Sequence, residues 1–244
     1  MDAVVGRATS SRVSGNRLLA ALPDDAAKLI EPDLKRISLS RGAVCFGPGD
    51  PIEQIYFPQS GMISLFVPTG DGEMVEISSI GREGAVGLQS GLGGRVSFTL
   101  TTVQVAGEFS TIAAARFAQA VNRSASLRDL VVRYTEMLWA EAQQNAACNA
   151  IHHGSSRLCR WLLQSADRTG SDLLPLTQEF LADMLGVRRT TVTLLAQELQ
   201  KKGILRYSRG RITIVDRGAL EACACKCYHV VKHENLLSKL GVYL

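Results

Sequence analysis

The sequence is poor in aromatic residues, which make up 6% of its 244 positions, and it has no window of eighteen uninterrupted apolar residues. A membrane-spanning helix is therefore not expected. After the first basic residues the only apolar stretch near the start is Leu18–Pro23. That is too short for a secretory leader, so the expected compartment is the cytoplasm. Six cysteines in such a chain read as reduced thiols, not as a disulfide framework. The sequence contains no G-x-S-x-G elbow, no G-x-x-x-x-G-K-[ST] phosphate loop and no H-E-x-x-H pair, so the usual hydrolytic, nucleotide-cleaving and metalloprotease centres are excluded and no enzyme is expected. Gly81, Gly84 and Gly87 repeat every three residues with no lysine after them, which suits turns better than a phosphate cradle. The chain does have apolar residues, 46% in all. This excludes general disorder and is enough to fill two ordinary domains.

The net charge of +4 hides an asymmetry. Residues 1–150 hold 13 basic and 15 acidic side chains, and residues 151–244 hold 14 and 8. Between Arg188 and Arg211 seven basic residues face one acid, Glu198. A polyanion partner is expected for the C-terminal part.

Texture divides the chain. Residues 1–14 are small and polar and read as a flexible tail. Thirteen of the 22 glycines lie between Gly42 and Gly107. There, short apolar runs alternate with turn residues: Val44–Phe46, Gln54–Phe57, Met62–Val67, Met74–Ile80 and Ser97–Val105. Such a pattern predicts a β-sandwich or barrel. Ser110 and Thr111 could cap a helix over Ile112–Val121. A second, long helix is expected from Ser126 to Asn149, roughly 36 Å at 1.5 Å per residue. Leu127, Leu130, Val131, Tyr134, Met137 and Leu138 form one apolar stripe on it. The stripe suits packing on its own domain or pairing with a twin helix. The length of the helix favours the twin, and these six are taken as dimerisation residues. Ser155 or Ser156 would cap a following helix, Arg157–Asp167.

Residues 177–203 read TQEFLADMLGVRRTTVTLLAQELQKKG. Thr177 suits an N-cap, and Phe180, Leu181, Met184 and Leu185 make an apolar helical face. Gly186 ends that helix. A second helix opens at Arg188–Arg189, turns Val192, Leu195, Ala196 and Leu199 inward, and ends at Gly203. Two short helices with so tight a glycine turn make a helix-turn-helix. Its outward residues are Arg188, Arg189, Thr190, Thr191, Thr193 and Gln197. All can donate to phosphates or base edges. Ile204–Tyr207 and Arg211–Ile214 then form a β-hairpin with the tip Ser208-Arg209-Gly210, the wing of a winged helix-turn-helix. The expected DNA-binding set is Arg189, Thr190 and Thr193 on bases with Arg188 and Thr191 beside them, and Thr177, Gln197, Lys201, Arg206, Arg209 and Arg211 on phosphates. The competing reading is an amphipathic helical hairpin with a solvated basic face. Turn chemistry, the small Ala182, outward donors and the basic wing all agree on DNA.

The stretch LADMLGVRRTTVTLLAQELQKKGIL, Leu181–Leu205, resembles the DNA-reading segment of the Crp/Fnr family of bacterial transcription regulators. GPGDP at 47–51 and YFPQSGMISLFV at 56–67 resemble the family's cyclic-nucleotide-binding fold, and the likeness runs from about Leu18 to Asp216. It implies an α+β chain: an N-terminal double-stranded β-helix (a jelly-roll or β-roll) as sensor over 15–125, a dimerisation helix over 126–150, and a winged helix-turn-helix over 151–244. It implies a homodimer on a two-fold symmetric site in double-stranded DNA, with RNA polymerase and an unidentified small-molecule effector as further partners. In the family's cyclic-AMP-binding members a Glu and an Arg hold the nucleotide. Here Val86 or Gly87 and Thr99 fall at those places, with Glu83 near the first and Arg95 too early for the second. No cyclic AMP gating and no bound cofactor are expected. The oxygen-sensing branch has N-terminal cysteines, and the first here is Cys45. Thr190 and Leu194 replace a common Glu and a common second Arg of the recognition helix, so a different DNA sequence preference is implied.

Cys223, Cys225 and Cys227 form C-x-C-x-C, with His229 two residues on. Structural zinc usually spaces its pairs as C-x-x-C. These cysteines are read as small apolar residues of a C-terminal helix, EACACKCYHVVKH, with no metal. Cys148 and His152, one helical turn apart, could share a ligand, but two groups do not make a site. The alternative function is a ligand- or redox-sensing module built on the C-terminal cysteines, with weak or non-specific DNA binding.

Overall fold

The computed structural model describes residues 15–72, 74–208 and 210–232. The expected tail 1–14 and the wing-tip Arg209 lie outside the described residues. Two short helices, α1 (Arg17–Ala20) and α2 (Asp24–Ile30), precede a β-roll. Its strands are β1 (Lys35–Leu39), β2 (Val44–Phe46), β3 (Gln54–Pro58), β4 (Met62–Pro68), β5 (Met74–Ile80), β6 (Leu100–Val105) and β7 (Gly107–Ala113). One antiparallel sheet has the order β1-β7-β3, and the other β2-β6-β4-β5. Phe46, Ile52, Ile63, Ile80, Val86, Val103 and Phe109 fill the space between them. Alternation sorts the side chains: Tyr56 joins that core, while Ile55 and Phe57 meet the helices on the other face.

The glycine-rich strands follow the alternation, except that the run expected over Ser97–Val105 is strand only from Leu100 onward. The start of the first long helical stretch departs from expectation. Ser110 and Thr111 cap nothing. They sit in β7, the central strand, paired with β1 on one side and β3 on the other. Helix α3 (Ala114–Arg123) begins after them with no side-chain cap. Two ladders of backbone hydrogen bonds outweigh a single cap. β1, whose burial alternates only weakly, had no recognisable pattern.

Helix α4 runs from Ala125 to Ile151 and is capped by Ser124, whose oxygen accepts from Leu127 N at 3.1 Å. Its apolar stripe is real, but it faces inward. Leu127, Leu130, Val131, Tyr134 and Met137 are buried against α1–α3 and the β3/β7 sheet, and the half-buried Leu138 packs on the same core. Within one chain this face of α4 is covered by its own domain. A 3.6-residue period says that a face is buried, not what buries it.

Helix α5 (Gly154–Thr169) starts earlier than the serines suggested. His153 is its N-cap, without a side-chain bond, so neither Ser155 nor Ser156 caps it. The C-terminal unit follows with β8 (Leu173–Leu174), α6 (Gln178–Leu185), α7 (Arg189–Lys201), β9 (Leu205–Ser208), β10 (Arg211–Ile214), α8 (Arg217–Cys223) and α9 (Cys227–Val230). The expected single helix over EACACKCYHVVKH is broken, because Ala224 is extended with ψ 152°. Among the described residues no helix is long and apolar enough to cross a membrane.

The two halves share one core. Met62 and Phe66 of β4 pack with Leu158, Trp161, Leu162, Phe180 and Leu181 of the C-terminal unit. The Phe66 and Phe180 rings meet edge to face at 6.1 Å, and Trp161 lies 5.3 Å from Phe180. Such contacts fix where the β-roll holds α6 and α7.

Candidate nucleic-acid interface

Local chemistry builds the helix-turn-helix. Thr177 accepts from Phe180 N at 3.3 Å and so caps α6. Gly186 closes α6 at φ 61°, a left-handed conformation that favours glycine. Arg157 donates to the Leu185 carbonyl and satisfies a further free acceptor at the end of α6. Phe180, Leu181, Ala182, Met184 and Leu185 are buried, as are Val192, Ala196 and Leu199 across the turn.

This packing leaves the opposite side of α7 in solvent. Arg188, Arg189, Thr190, Thr191, Gln197 and Lys201 are exposed. Thr193 is half-buried, and its hydroxyl donates to Gln178 Oε1 at 3.0 Å and to the Arg189 carbonyl at 3.1 Å. Its methyl group is therefore the part best suited to a base. Leu194, not counted among the DNA-contacting residues, is 66% exposed in the middle of the same face. An exposed leucine flanked by donors suits a thymine methyl. The wing supplies the second basic element. Arg206 stands opposite Thr213, and Arg211 opposite Ser208, on one solvent face of the β9/β10 ladder. Their neighbours Leu205, Ile212 and Ile214 are buried on the other face. Arg41 of the β-roll also reaches Thr177 Oγ1 and the Pro175 carbonyl, each at 3.4 Å. Thr177 is a helix cap first.

The β-roll segment from Gly81 to Leu92 has already spent many of its backbone donors. Tyr134 Oη accepts from Ala85 N at 2.9 Å and donates to its carbonyl at 3.1 Å. Val86 N donates to the Tyr56 carbonyl and Gly84 N to that of Gly81. Gly84 has no room for a side chain, because a Cβ would lie 2.0 Å from the Tyr134 hydroxyl. Arg95 is exposed, and Thr99 bonds Ser97 and Thr101 instead of presenting a charge.

Between the β-roll, α4 and α5 lies a buried polar network. Arg168 pairs with Glu141 at 2.6 Å and with Glu83 at 3.4 Å, and also donates to Ser79. Burial opposes its charge, but Glu141 and Glu83 outweigh burial and raise its pKa. Trp161 Nε1 donates to Glu76 Oε1 at 3.2 Å. Burial pushes Glu76 up to about 7, against the Trp161 hydrogen bond and the Arg168 charge. A carboxyl whose folded pKa is raised stabilises fully only below its unfolded value and loses that contribution as pH rises through the folded value. Stability should therefore fall by about 2 kcal/mol between pH 5 and 7.5, and the Glu76→Gln protein should lack this slope. Urea midpoints across that range check it, and parallel pH profiles for the two proteins would contradict it.

A β-roll docked on a winged helix-turn-helix with a basic, donor-rich reading face defines a two-domain DNA-binding regulator. Comparison with known proteins agrees. The cyclic nucleotide-binding domain family matches residues 36–124, and the Crp-like helix-turn-helix domain family matches residues 156–223. The global nitrogen regulator of a Nostoc species is 25% identical over 187 residues, covering 72% of this chain and 83% of that protein. FixK2 from Bradyrhizobium japonicum superposes with a TM-score of 0.68 at 16% identity, covering 79% of this chain and 98% of that one. The c-di-GMP-responsive global regulator CLP of Xanthomonas campestris gives 0.64 at 16% identity, with 80% and 100% covered. The chain belongs to the Crp/Fnr family: it is a transcription regulator with a helix-turn-helix DNA-binding domain.

Proposed function

We propose that the protein is a cytoplasmic homodimer that reads a two-fold symmetric DNA site without cyclic AMP. Residues 15–125 form the sensor unit, 126–150 the connecting helix and 151–244 the DNA-binding unit. The observation that carries the reading is the solvent face of α7, where Arg188, Arg189, Thr190 and Gln197 stand free beside the wing arginines Arg206 and Arg211. Arg189 and Thr190 take base edges, with Thr193 and Leu194 offering apolar contact. Thr191, Gln197, Lys201, Arg206, Arg209 and Arg211 hold phosphates, and Thr177 caps the helix that faces them. Two recognition helices would sit about 34 Å apart.

The dimer uses the side of α4 opposite its buried stripe. Val132, Trp139 and Ala146 recur every seven residues and are all exposed, Trp139 by 67%. A seven-residue spacing is what a paired helix seam needs. Cyclic AMP is not the gate on this reading. Its phosphate needs a cation or free amides; at the matching places stand Val86 or Gly87 and Thr99, none of them charged, and Arg95 is turned to solvent. A different effector and RNA polymerase remain the partners of this class.

Two variants separate the roles. Arg189→Ala should relax preference at one base-pair position, with about 1–3 kcal/mol of discrimination lost there. Arg211→Ala should weaken binding to all sequences alike and reduce the salt slope by about 1. Binding titrations over a salt series and a library of single-base variants read both. An unchanged preference in Arg189→Ala would overturn the base-reading role.

A further inference from the structure

Three of the buried cysteines pack on one another, apart from the main cores. They are Cys148, Cys225 and Cys227. His152 joins them, and the four potential ligand atoms all lie within 4.8 Å of one another. Cys148 Sγ is 3.5 Å from Cys225 Sγ, and Cys227 Sγ is 3.6 Å from His152 Nδ1. We infer that Cys148, His152, Cys225 and Cys227 form a closed binding site for a single tetrahedral, thiophilic divalent ion of the zinc type.

The geometry selects the ligand. Zinc–sulfur bonds of about 2.3 Å and zinc–nitrogen bonds of about 2.0 Å put the corners of a tetrahedron roughly 3.5–3.8 Å apart. The Cys148–Cys225 and Cys227–His152 separations fall in that range. A disulfide would need its sulfurs about 2.05 Å apart. A four-iron cluster would spread its ligands far wider than this group. A Cys₃His set is also a recognised structural zinc set, and three buried thiols leave no open position for catalysis.

The fold explains why these residues converge. Cys148 lies in the last turn of α4 and His152 is the C-cap, its N donating to the Cys148 carbonyl at 3.0 Å, so the two residues leave the helix end together. Ala224 breaks the C-terminal helix, and Cys225 N donates to the Ser156 carbonyl at 3.4 Å, which returns the chain to the start of α5. The turn closed by Tyr228 N on the Cys225 carbonyl, at 3.0 Å, then brings Cys227 round to the same point. Outer partners are in place as well. Gln144 Nε2 donates to Cys227 Sγ at 3.1 Å. Arg157 and Arg160 lie close enough to act on Cys148 electrostatically. Three thiolates, a neutral imidazole and a dication carry a net charge of −1, which one arginine balances. An ion here ties the C-terminal end of α4 to the α8–α9 junction across the His152–His153 turn. It thereby fixes the direction in which the DNA-binding unit leaves α4.

The test uses the full-length protein purified under reducing conditions and needs no DNA. Elemental analysis after extensive dialysis should find one zinc per chain. Replacement by Co²⁺ should give the intense visible absorption of four-coordinate cobalt with a thiolate charge-transfer band. Cys225→Ser and His152→Ala should each lose the tightly held zinc. Cys223→Ser, altered outside the group, should keep it. Because a buried cysteine variant can misfold, His152→Cys is the second arm: it should retain zinc and shift the cobalt bands. Zinc-free protein with six-coordinate cobalt in the wild type would overturn the inference. So would a Cys148–Cys225 disulfide in the freshly reduced protein, or equal zinc in Cys225→Ser and Cys223→Ser.

Discussion

Replacing Arg168 by Met should destabilise the protein by about 3–5 kcal/mol, because two carboxylates then lose their common cation in the protein interior. Arg168 is buried, and its guanidinium reaches Glu141, Glu83 and Ser79 at once. Methionine keeps much of the stem's packing, so the loss measures charge more than volume. In a chain of this size the melting temperature should drop by roughly 6–20 °C. Adding Glu141→Gln to the Arg168→Met protein should recover a good part of the loss, since the deeper stranded charge is gone. A change under about 1 kcal/mol in the single variant, or no recovery in the double, would contradict the account. The network joins β5 and the following turn, α4 and α5, so the same variant should also loosen the docking of the DNA-binding unit on the β-roll.

Trp139→Ala should weaken the dimer about 30-fold to 1,000-fold, as expected for a central tryptophan worth 2–4 kcal/mol in an interface. The folded monomer should be nearly unaffected, because this ring is 67% exposed within one chain. Sedimentation equilibrium over a concentration series gives the dissociation constant, and thermal melting at low concentration gives the monomer stability. Val131→Ala should behave in the opposite way. Val131 is fully buried in its own chain, so it should lower stability by about 0.5–1.5 kcal/mol per lost branch or more, with little effect on the monomer–dimer constant. A dimer indifferent to Trp139 but broken by Val131 would return the seam to the buried stripe.

The pair also shows what the sequence made legible. Periodicity found α4 and its apolar stripe, because a 3.6-residue repeat is written in single residues. It could not tell an intrachain partner from a twin. The second stripe rests on one valine, one tryptophan and one alanine, Val132, Trp139 and Ala146, too faint to read without knowing which face was covered. In the β-roll, the strands flanked by glycine turns were readable from alternation. β7 was not, since Ser110 and Thr111 have the chemistry of helix caps and only their pairing with β1 and β3 makes them strand. The helix-turn-helix was the most legible part, because Thr177, Gly186 and the inward and outward residues of α7 each act locally. The cysteine group was the least legible. Cys148 and Cys225 are 77 positions apart, and C-x-C spacing gives no hint of a partner from a distant helix.

The most direct test of the central claim is selection from a random duplex DNA pool by the purified protein, without added nucleotide, at physiological salt. The account predicts enrichment of an inverted repeat whose half-sites are centred about 34 Å apart, one helical turn, and loss of one position's preference in the Arg189→Ala protein. Enrichment that appears only with cyclic AMP, a motif without two-fold symmetry, or no motif at all would contradict it.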